Sequence, residues 1–218
     1  MWFENIFAVY NKNLFKRRFQ AFRVSGLAEM EKINRGLPLL IYANHSSWWD
    51  GLAAFEISRL AALDAFIMME EKHLKKLFLF RRLGAFSIVR ENPRRAMESI
   101  RYAVEILTKN PARSLWIFPQ GEILPNDARP IVFYNGLSRI IEKLRRVQTV
   151  PIAFRYEFLN DFKPEVFVKI GKVELIVPDE KFDSRKMTVN FAENLTVLLD
   201  ELKTDIAGKN FSNYTQII

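Results

Sequence analysis

Short runs of β-branched and aromatic residues alternate along the chain with longer segments of helical period. No other feature limits the fold as much. The strand-like runs are Leu39–Ala43, Ala65–Met69, Phe86–Val89, Ser114–Pro119, Thr149–Tyr156 and Glu165–Ile176, most of them bounded by Gly, Pro or Asn. Helical patterns fill the gaps at Gly51–Ala62, Lys72–Leu83, Pro93–Lys109, Gly136–Arg145 and Thr188–Ala207. The third opens on Asn92 as N-cap with Pro93 at the first helical position. Strands alternating with helices predict an α/β domain built on a substantially parallel sheet. Within the last run, Lys169 to Lys172 reads as a hairpin turn or a bulge at Gly171. Some antiparallel pairing follows, so the expected sheet is mixed, largely parallel and flanked by helices.

The first residues carry a second pattern. Trp2, Phe3, Ile6, Phe7, Tyr10, Leu14, Phe15, Phe19 and Phe22 recur at helical spacing, with Lys12, Lys16, Arg17, Arg18 and Arg23 between them. An aromatic face with basic flanks suits a helix lying in a bilayer interface. It equally suits an amphipathic helix docked on the protein's own core. The segment does not read as a signal peptide, since charges run through it and no small-residue cleavage site follows an apolar run. No apolar window approaches the ~18 residues of a membrane span.

Composition removes several chemistries. The chain has no cysteine, which excludes disulfide scaffolds, thiol nucleophiles and iron–sulfur clusters. Its two histidines, His45 and His73, do not make a multi-histidine metal site. The formal charge of +8 favours anionic partners. That surplus is concentrated: residues 72–113 hold eleven cations against three anions, a balance equal to that of the whole chain. Leu74, Leu77, Phe78, Leu79 and Phe80 interleave with them, a mixture that fits a lipid headgroup surface at about 1 kcal/mol per cation. A solvated helix face is the plainer reading of such a run. No helix-turn-helix, RNA-recognition or zinc signature accompanies the charge, so no nucleic-acid partner is expected.

Four strand ends carry candidate chemistry. The first run leads into Asn44-His45-Ser46-Ser47-Trp48-Trp49-Asp50, with the carboxylate five residues after the histidine. If Ser46 or Ser47 caps the next helix, Asp50 lies in its first turn and folds back toward His45. A carboxylate on one imidazole nitrogen fixes the tautomer and leaves the other free as a base. The alternative is a structural histidine beside a helix-capping aspartate. The second is Trp116 to Glu122, where Pro119-Gln120-Gly121-Glu122 ends a buried run. A turn there can present N–H groups to an oxyanion or phosphate. The third runs from Gly84 to Arg90, a side chain suited to bidentate anion recognition. The fourth, Val150-Pro151-Ile152, has Pro near the start of a strand and is by itself only a strand. No nucleophile elbow is present, so direct base catalysis is favoured over a covalent enzyme.

Together these four segments resemble the glycerolipid acyltransferases typified by the lysophosphatidic acid acyltransferases. The resemblance spans about residues 36–156. Asn44, His45 and Asp50 match the family's N-H-x4-D motif, Gly84 through Arg90 its second motif, and Val150-Pro151-Ile152 its fourth. The resemblance implies an acyltransferase, with acyl-CoA or acyl-carrier protein as co-substrate and no metal or other cofactor. His45 would be the general base and Asp50 its orienting partner. Arg90, Gln120, Gly121 and Glu122 would contact the acceptor, with Asn44, Trp48, Trp49 and Arg129 as further candidate contacts. One tryptophan is expected under the loop and the other at the entrance. His73, beside Glu70 and Glu71, is expected at the surface. Membrane lipids would be partners at the cytoplasmic face, with residues 1–26 as an amphipathic interface segment and 27–218 as the acyltransferase domain.

The third motif departs from the family's usual F-P-E-G-T-R. Here Gln120 replaces the Glu, and Glu122-Ile123 replaces the Thr-Arg. A carboxylate beside a bound phosphate is unfavourable unless a further cation intervenes. Arg129 is the cation expected to do so. A neutral acceptor such as a glycolipid, or an aminolipid, is the alternative, as is a non-catalytic membrane-surface protein keeping the fold. The last sixty residues carry no motif and either line an acyl tunnel or complete the core.

Overall fold

The computed structural model describes residues 2–89 and 91–218. The chain begins with α1 (Trp2–Arg18), β1 (Ala21–Ser25), the short α2 (Leu27–Glu31), β2 (Leu39–Ala43), α3 (Asp50–Leu60) and β3 (Asp64–Glu70). It continues through α4 (Glu71–Lys76), a 3-10 turn (Phe78–Leu83), β4 (Ala85–Ile88), α5 (Pro93–Lys109), β5 (Arg113–Ile117) and α6 (Gly136–Lys143). The last elements are β6 (Val147–Glu157), β7 (Glu165–Ile170), β8 (Glu174–Ile176), α7 (Ser184–Ala207) and β9 (Tyr214–Gln216).

Among the described residues the strands form one sheet in the order β4-β3-β5-β2-β6-β7-β1-β9, with β8 also on β6. From β4 to β6 all neighbours are parallel. β7 and β8 run antiparallel to β6. The sheet is therefore mixed and largely parallel, as the alternation predicts.

Strand alternation divides the core into two layers. Leu40, Tyr42, Leu115 and Ile117 face one side, under α5, α6 and α7. Leu39, Ile41, Trp116, Val150, Ile152 and Phe154 face the other, against Phe15, Phe19 and the buried side of α3. Fully burying each of these large side chains contributes about 1.5–3 kcal/mol. The motif-free last sixty residues complete the first layer through Phe191, Leu195, Leu199 and Leu202 of α7.

The N-terminal periodicity holds only to Arg18. Phe22 belongs to β1, which pairs with β7 and β9 inside the sheet, so residues 21–25 are not part of an interface helix. The sequence hid this strand because its aromatic residue falls in the helical register of α1. Helix α1 has two apolar sides. Phe7 packs edge-on against Phe55 and Phe80, and Phe15 is fully buried. Trp2, Ile6, Val9 and Tyr10 are exposed on the outside. The helix expected over Lys72–Leu83 breaks at Leu77, where the backbone leaves helical geometry (φ −111°, ψ 42°). Only Leu74 of α4 is buried, so little packing holds a longer helix together there.

The Glu165–Ile176 run is one antiparallel partner of β6, broken by a bulge. Ile170 opposes Ile152 and Glu174 opposes Thr149, which leaves one residue too many between them. Pro151 sits at this break. Its carbonyl accepts from the Gly171 N–H at 2.9 Å, so its missing donor faces the disrupted part of the ladder. Gly171 is required by space: a Cβ there would lie 2.6 Å from Pro151 Cγ and 3.3 Å from Leu198 Cδ2. Gly171→Ala is expected to cost about 1–3 kcal/mol by overpacking, read as a lower urea midpoint at unchanged m-value.

Candidate active site

β2, β5, β3 and β4 are parallel, so their C-terminal ends open on one edge of the sheet, together with the far half of β6. Open α/β sheets place ligands at this edge. Asn44-His45 leaves β2 there, and Phe118-Pro119-Gln120-Gly121 leaves β5. Arg90, which follows β4, lies outside the described residues.

Asp50 is the centre of the arrangement. It occupies the first position of α3 and is fully buried. Its Oδ2 accepts from His45 Nδ1 at 2.8 Å and from the Ser46 and Ser47 backbone N–H groups at 2.6 and 2.9 Å. Its Oδ1 accepts from the Tyr156 hydroxyl at 2.7 Å. A buried carboxylate is expensive unless its lone pairs are filled, and here both oxygens are. The helix N-terminus adds a favourable field. The acceptor-only carboxylate requires the proton on Nδ1, which leaves His45 Nε2 free to act as a base.

The rest of the site holds this histidine in place. Its ring stacks on Phe118, with centroids 4.7 Å apart. Its backbone N–H donates to Gln120 Oε1 at 2.7 Å, and its carbonyl accepts from the Leu124 N–H at 2.9 Å. Asn44 is turned away from the cleft. Its amide donates to the Phe154 carbonyl at 2.9 Å and accepts from the Phe154 N–H at 2.8 Å, adding a side-chain rung to the β2–β6 ladder. Burial and the facing Asp50 charge hold the Tyr156 phenol well above its ordinary pKa, so it remains a donor.

His45 opens on a cleft of about 460 Å³. Trp48, Gly121, Glu122, Lys72 and His73 line it near the mouth, and Leu52, Ile67, Met69 and Phe80 line its apolar wall. A smaller apolar cavity of about 60 Å³ shares Gly51, Leu52, Ile67 and Phe80 with the cleft and ends against Phe7 and Trp116.

Several expected contacts fall elsewhere. Trp48 is exposed at the cleft, whereas Trp49 packs on Phe15 and Phe19 at 5.4 and 4.8 Å, under the loop. Gln120 is buried and spends its Oε1 on the His45 backbone. Gly121 takes a left-handed conformation (φ 74°), and its N–H closes the turn on the Phe118 carbonyl at 3.0 Å, so that N–H is not aimed at a substrate. Arg129 is not at the cleft, because its guanidinium is bound to Asp200 of α7 at 2.6 Å and to the Asn126 and Ala128 carbonyls. His73 is exposed as expected, yet it lines the same cleft as His45. Nearby, Arg155 pins the loop that follows the Gly121 turn through a bidentate pair to Asp127 at 3.0 and 3.1 Å. That guanidinium, with Lys203, holds the Asp127 carboxyl far below the usual range.

Tyr156 and Phe118 are the site residues the sequence reading did not single out. Tyr156 had a signal: it ends the buried stripe Val150, Ile152, Phe154 with a polar tip, at the C-terminal end of the strand.

A family model described as Acyltransferase matches residues 24–155. The chain belongs to the acyltransferase family. No curated protein matches the sequence. Among solved structures, the crystal structure of the 1-acyl-sn-glycerophosphate (LPA) acyltransferase PlsC from Thermotoga maritima superimposes with a TM-score of 0.66. The identity is 18%, and the match covers 92% of this chain and 80% of that one. The two share a fold.

Removing one donor from a buried carboxylate leaves a lone pair unpaired at a cost of about 1–3 kcal/mol. Tyr156→Phe is therefore expected to destabilise the fold by about 1–3 kcal/mol, read as a lower urea midpoint at unchanged m-value.

Proposed function

We propose that the chain is an O-acyltransferase that moves a fatty acyl group from acyl-CoA or acyl-carrier protein to a hydroxyl of a glycerolipid-type acceptor. The observation that carries this reading is the Tyr156–Asp50–His45 array at the edge of an apolar cleft, in a chain of the acyltransferase family. His45 Nε2 takes the acceptor hydroxyl proton as that oxygen attacks the thioester carbonyl. The C–O bond forms and a tetrahedral oxyanion appears. Asp50 stabilises the imidazolium. Collapse expels the thiolate, which takes the proton back from His45 and leaves as the free thiol. A proton-transfer role of this kind contributes ~10²–10⁴-fold.

The cleft and the smaller cavity beyond Gly51 suit the acyl chain, since their shared wall is apolar. Two features favour a non-phosphate acceptor, a glycolipid or an aminolipid, as the second reading. Glu122 lines the cleft, and Arg129 is committed to Asp200 rather than available to offset it.

We assign the protein to the cytoplasmic face of a membrane, as a peripheral or monotopic protein with lipids as partners. Trp2, Ile6, Val9, Tyr10, Phe78 and Leu79 support this: they are exposed on α1 and the neighbouring 3-10 turn. Among the described residues no helix is long and apolar enough to cross a membrane.

Thiol release from palmitoyl-CoA and from palmitoyl-acyl-carrier protein, with lysophosphatidic acid, glycerol 3-phosphate, lysophospholipids and a glycolipid offered in parallel, tests the reaction. Acceptor-dependent release that falls at least ~10²-fold in His45→Ala is expected. Absence of His45-dependent release with every acceptor and both donors refutes the enzyme reading. Gly51 lies at the junction of the two cavities, with Ile67 Cδ1 4.0 Å from where its Cβ would stand. Gly51→Leu is accordingly expected to shift donor preference toward shorter acyl chains, measured by competition among acyl-CoA lengths.

A further inference from the structure

Among the described residues, the large apolar side chain most open to solvent is Phe162, at 85% exposure. It stands in the loop joining β6 to β7, which begins after the last ladder pair, Glu157 with Glu165. Phe158, on the same loop, is 69% exposed. The loop is built to present Phe162 rather than bury it. Asp161 turns its carboxylate back onto the loop, accepting from the Phe162 backbone N–H at 2.7 Å. Leu159 packs against the core and anchors the base of the loop.

Its position gives the exposure meaning. β6 runs parallel to β2 and extends past it, with Phe154 bound to Asn44 and Tyr156 bound to Asp50. The loop therefore projects from the edge of the sheet that holds His45, where Trp48 is also exposed. Its far end is tied to the end of α1, because the Gln20 N–H donates to the Pro164 carbonyl at 2.9 Å. Lys16, Arg17 and Arg18 are exposed in the last turn of α1, and Lys163 lies 6.0 Å from the Phe162 ring centroid. Two bare aromatic rings among four cations, with Asp161 the carboxylate between them, match an anionic lipid surface. The rings enter the interface while the cations meet the headgroups.

We infer that the β6–β7 loop is a second lipid contact, separate from the outer stripe of α1, with Phe158 and Phe162 inserting beside the cleft. It rests on the membrane reading above. Two contacts, one along α1 and one at this loop, fix the rotation of the domain on the surface and turn the cleft mouth toward it.

The chain contains no cysteine, so Phe162→Cys provides a unique thiol for an environment-sensitive fluorophore. Ala112→Cys, exposed before β5 at the opposite edge of the sheet, serves as control. With phosphatidylcholine vesicles containing phosphatidylglycerol, the label at 162 is expected to shift to the blue and to be quenched by nitroxide lipids, while the label at 112 stays silent. The pair Phe158→Ser and Phe162→Ser, made together, is expected to weaken vesicle partitioning by about tenfold or more at an unchanged thermal melt. Co-sedimentation of the unaltered protein with vesicles, combined with an aqueous label at 162 or unchanged partitioning of the double variant, overturns the inference and leaves the membrane reading standing. Failure of the unaltered protein to co-sediment removes both. A blue shift without vesicles that grows with protein concentration, or on adding an acidic carrier protein, assigns the loop to a protein partner and overturns the inference as well.

Discussion

A carboxylate with no access to water governs the architecture around it. Asp50 sits at the start of α3 and is bound by an imidazole, two backbone N–H groups and a phenol. Each donor comes from a different kind of constraint. The two backbone groups require the Ser46-Ser47 turn to curl toward the helix start. The imidazole requires His45 one residue earlier. The phenol requires β6 to run past the end of β2. An unpaired buried charge would cost several kcal/mol, so these elements are held in register by the same group they serve. The order of strands β5, β2 and β6 then becomes a condition of the site, not only of the core.

The positioning of His45 is achieved with side chains that look, by type, as if they should touch substrate. Asn44 spends both amide atoms on the Phe154 backbone. Gln120 spends its carbonyl on the His45 N–H. Phe118 supplies a flat surface for the ring. The polar residues nearest His45 are thus tied to the backbone, and the cleft is lined mainly by apolar side chains, among them Leu52, Ile67, Met69, Phe80, Ile117 and Phe118, with Glu70, Lys72 and Glu122 as its charged groups.

Much of this could be read in the residues. The apolar runs located β2 to β7, and the N-H-x4-D spacing identified the pair that the fold brings within hydrogen-bond distance. β1 and β9 were not legible, because a short strand is defined by its partners: β1 lies between β7 and β9, and its phenylalanine fits the helical register before it. The Trp48 and Trp49 division of labour was foreseen in kind, and the core provided by Phe15 and Phe19 decides which is which. Arg129 failed as a cleft cation because chain distance says nothing of direction, and Asp200 lies on a helix seventy-one residues away. Asn44 and Gln120 could not be assigned to backbone bonds without knowing which strand lies alongside. Tyr156 was within reach, as the polar end of an apolar stripe.

The division of the cleft between strands has an evolutionary consequence. The groups that bond to His45 and Asp50 come from the ends of β2 and β5, the start of α3 and β6, where each answers to several partners. Ile67, Met68 and Met69 of β3 and Phe80 of the 3-10 turn, toward the edge of the sheet, supply one apolar side of the cleft and are half-buried. Substitutions there alter the shape of the cleft without touching the His45–Asp50–Tyr156 hydrogen bonds. Selection can therefore reshape the cleft along one flank of the molecule while the hydrogen-bonded array stays constant on the other.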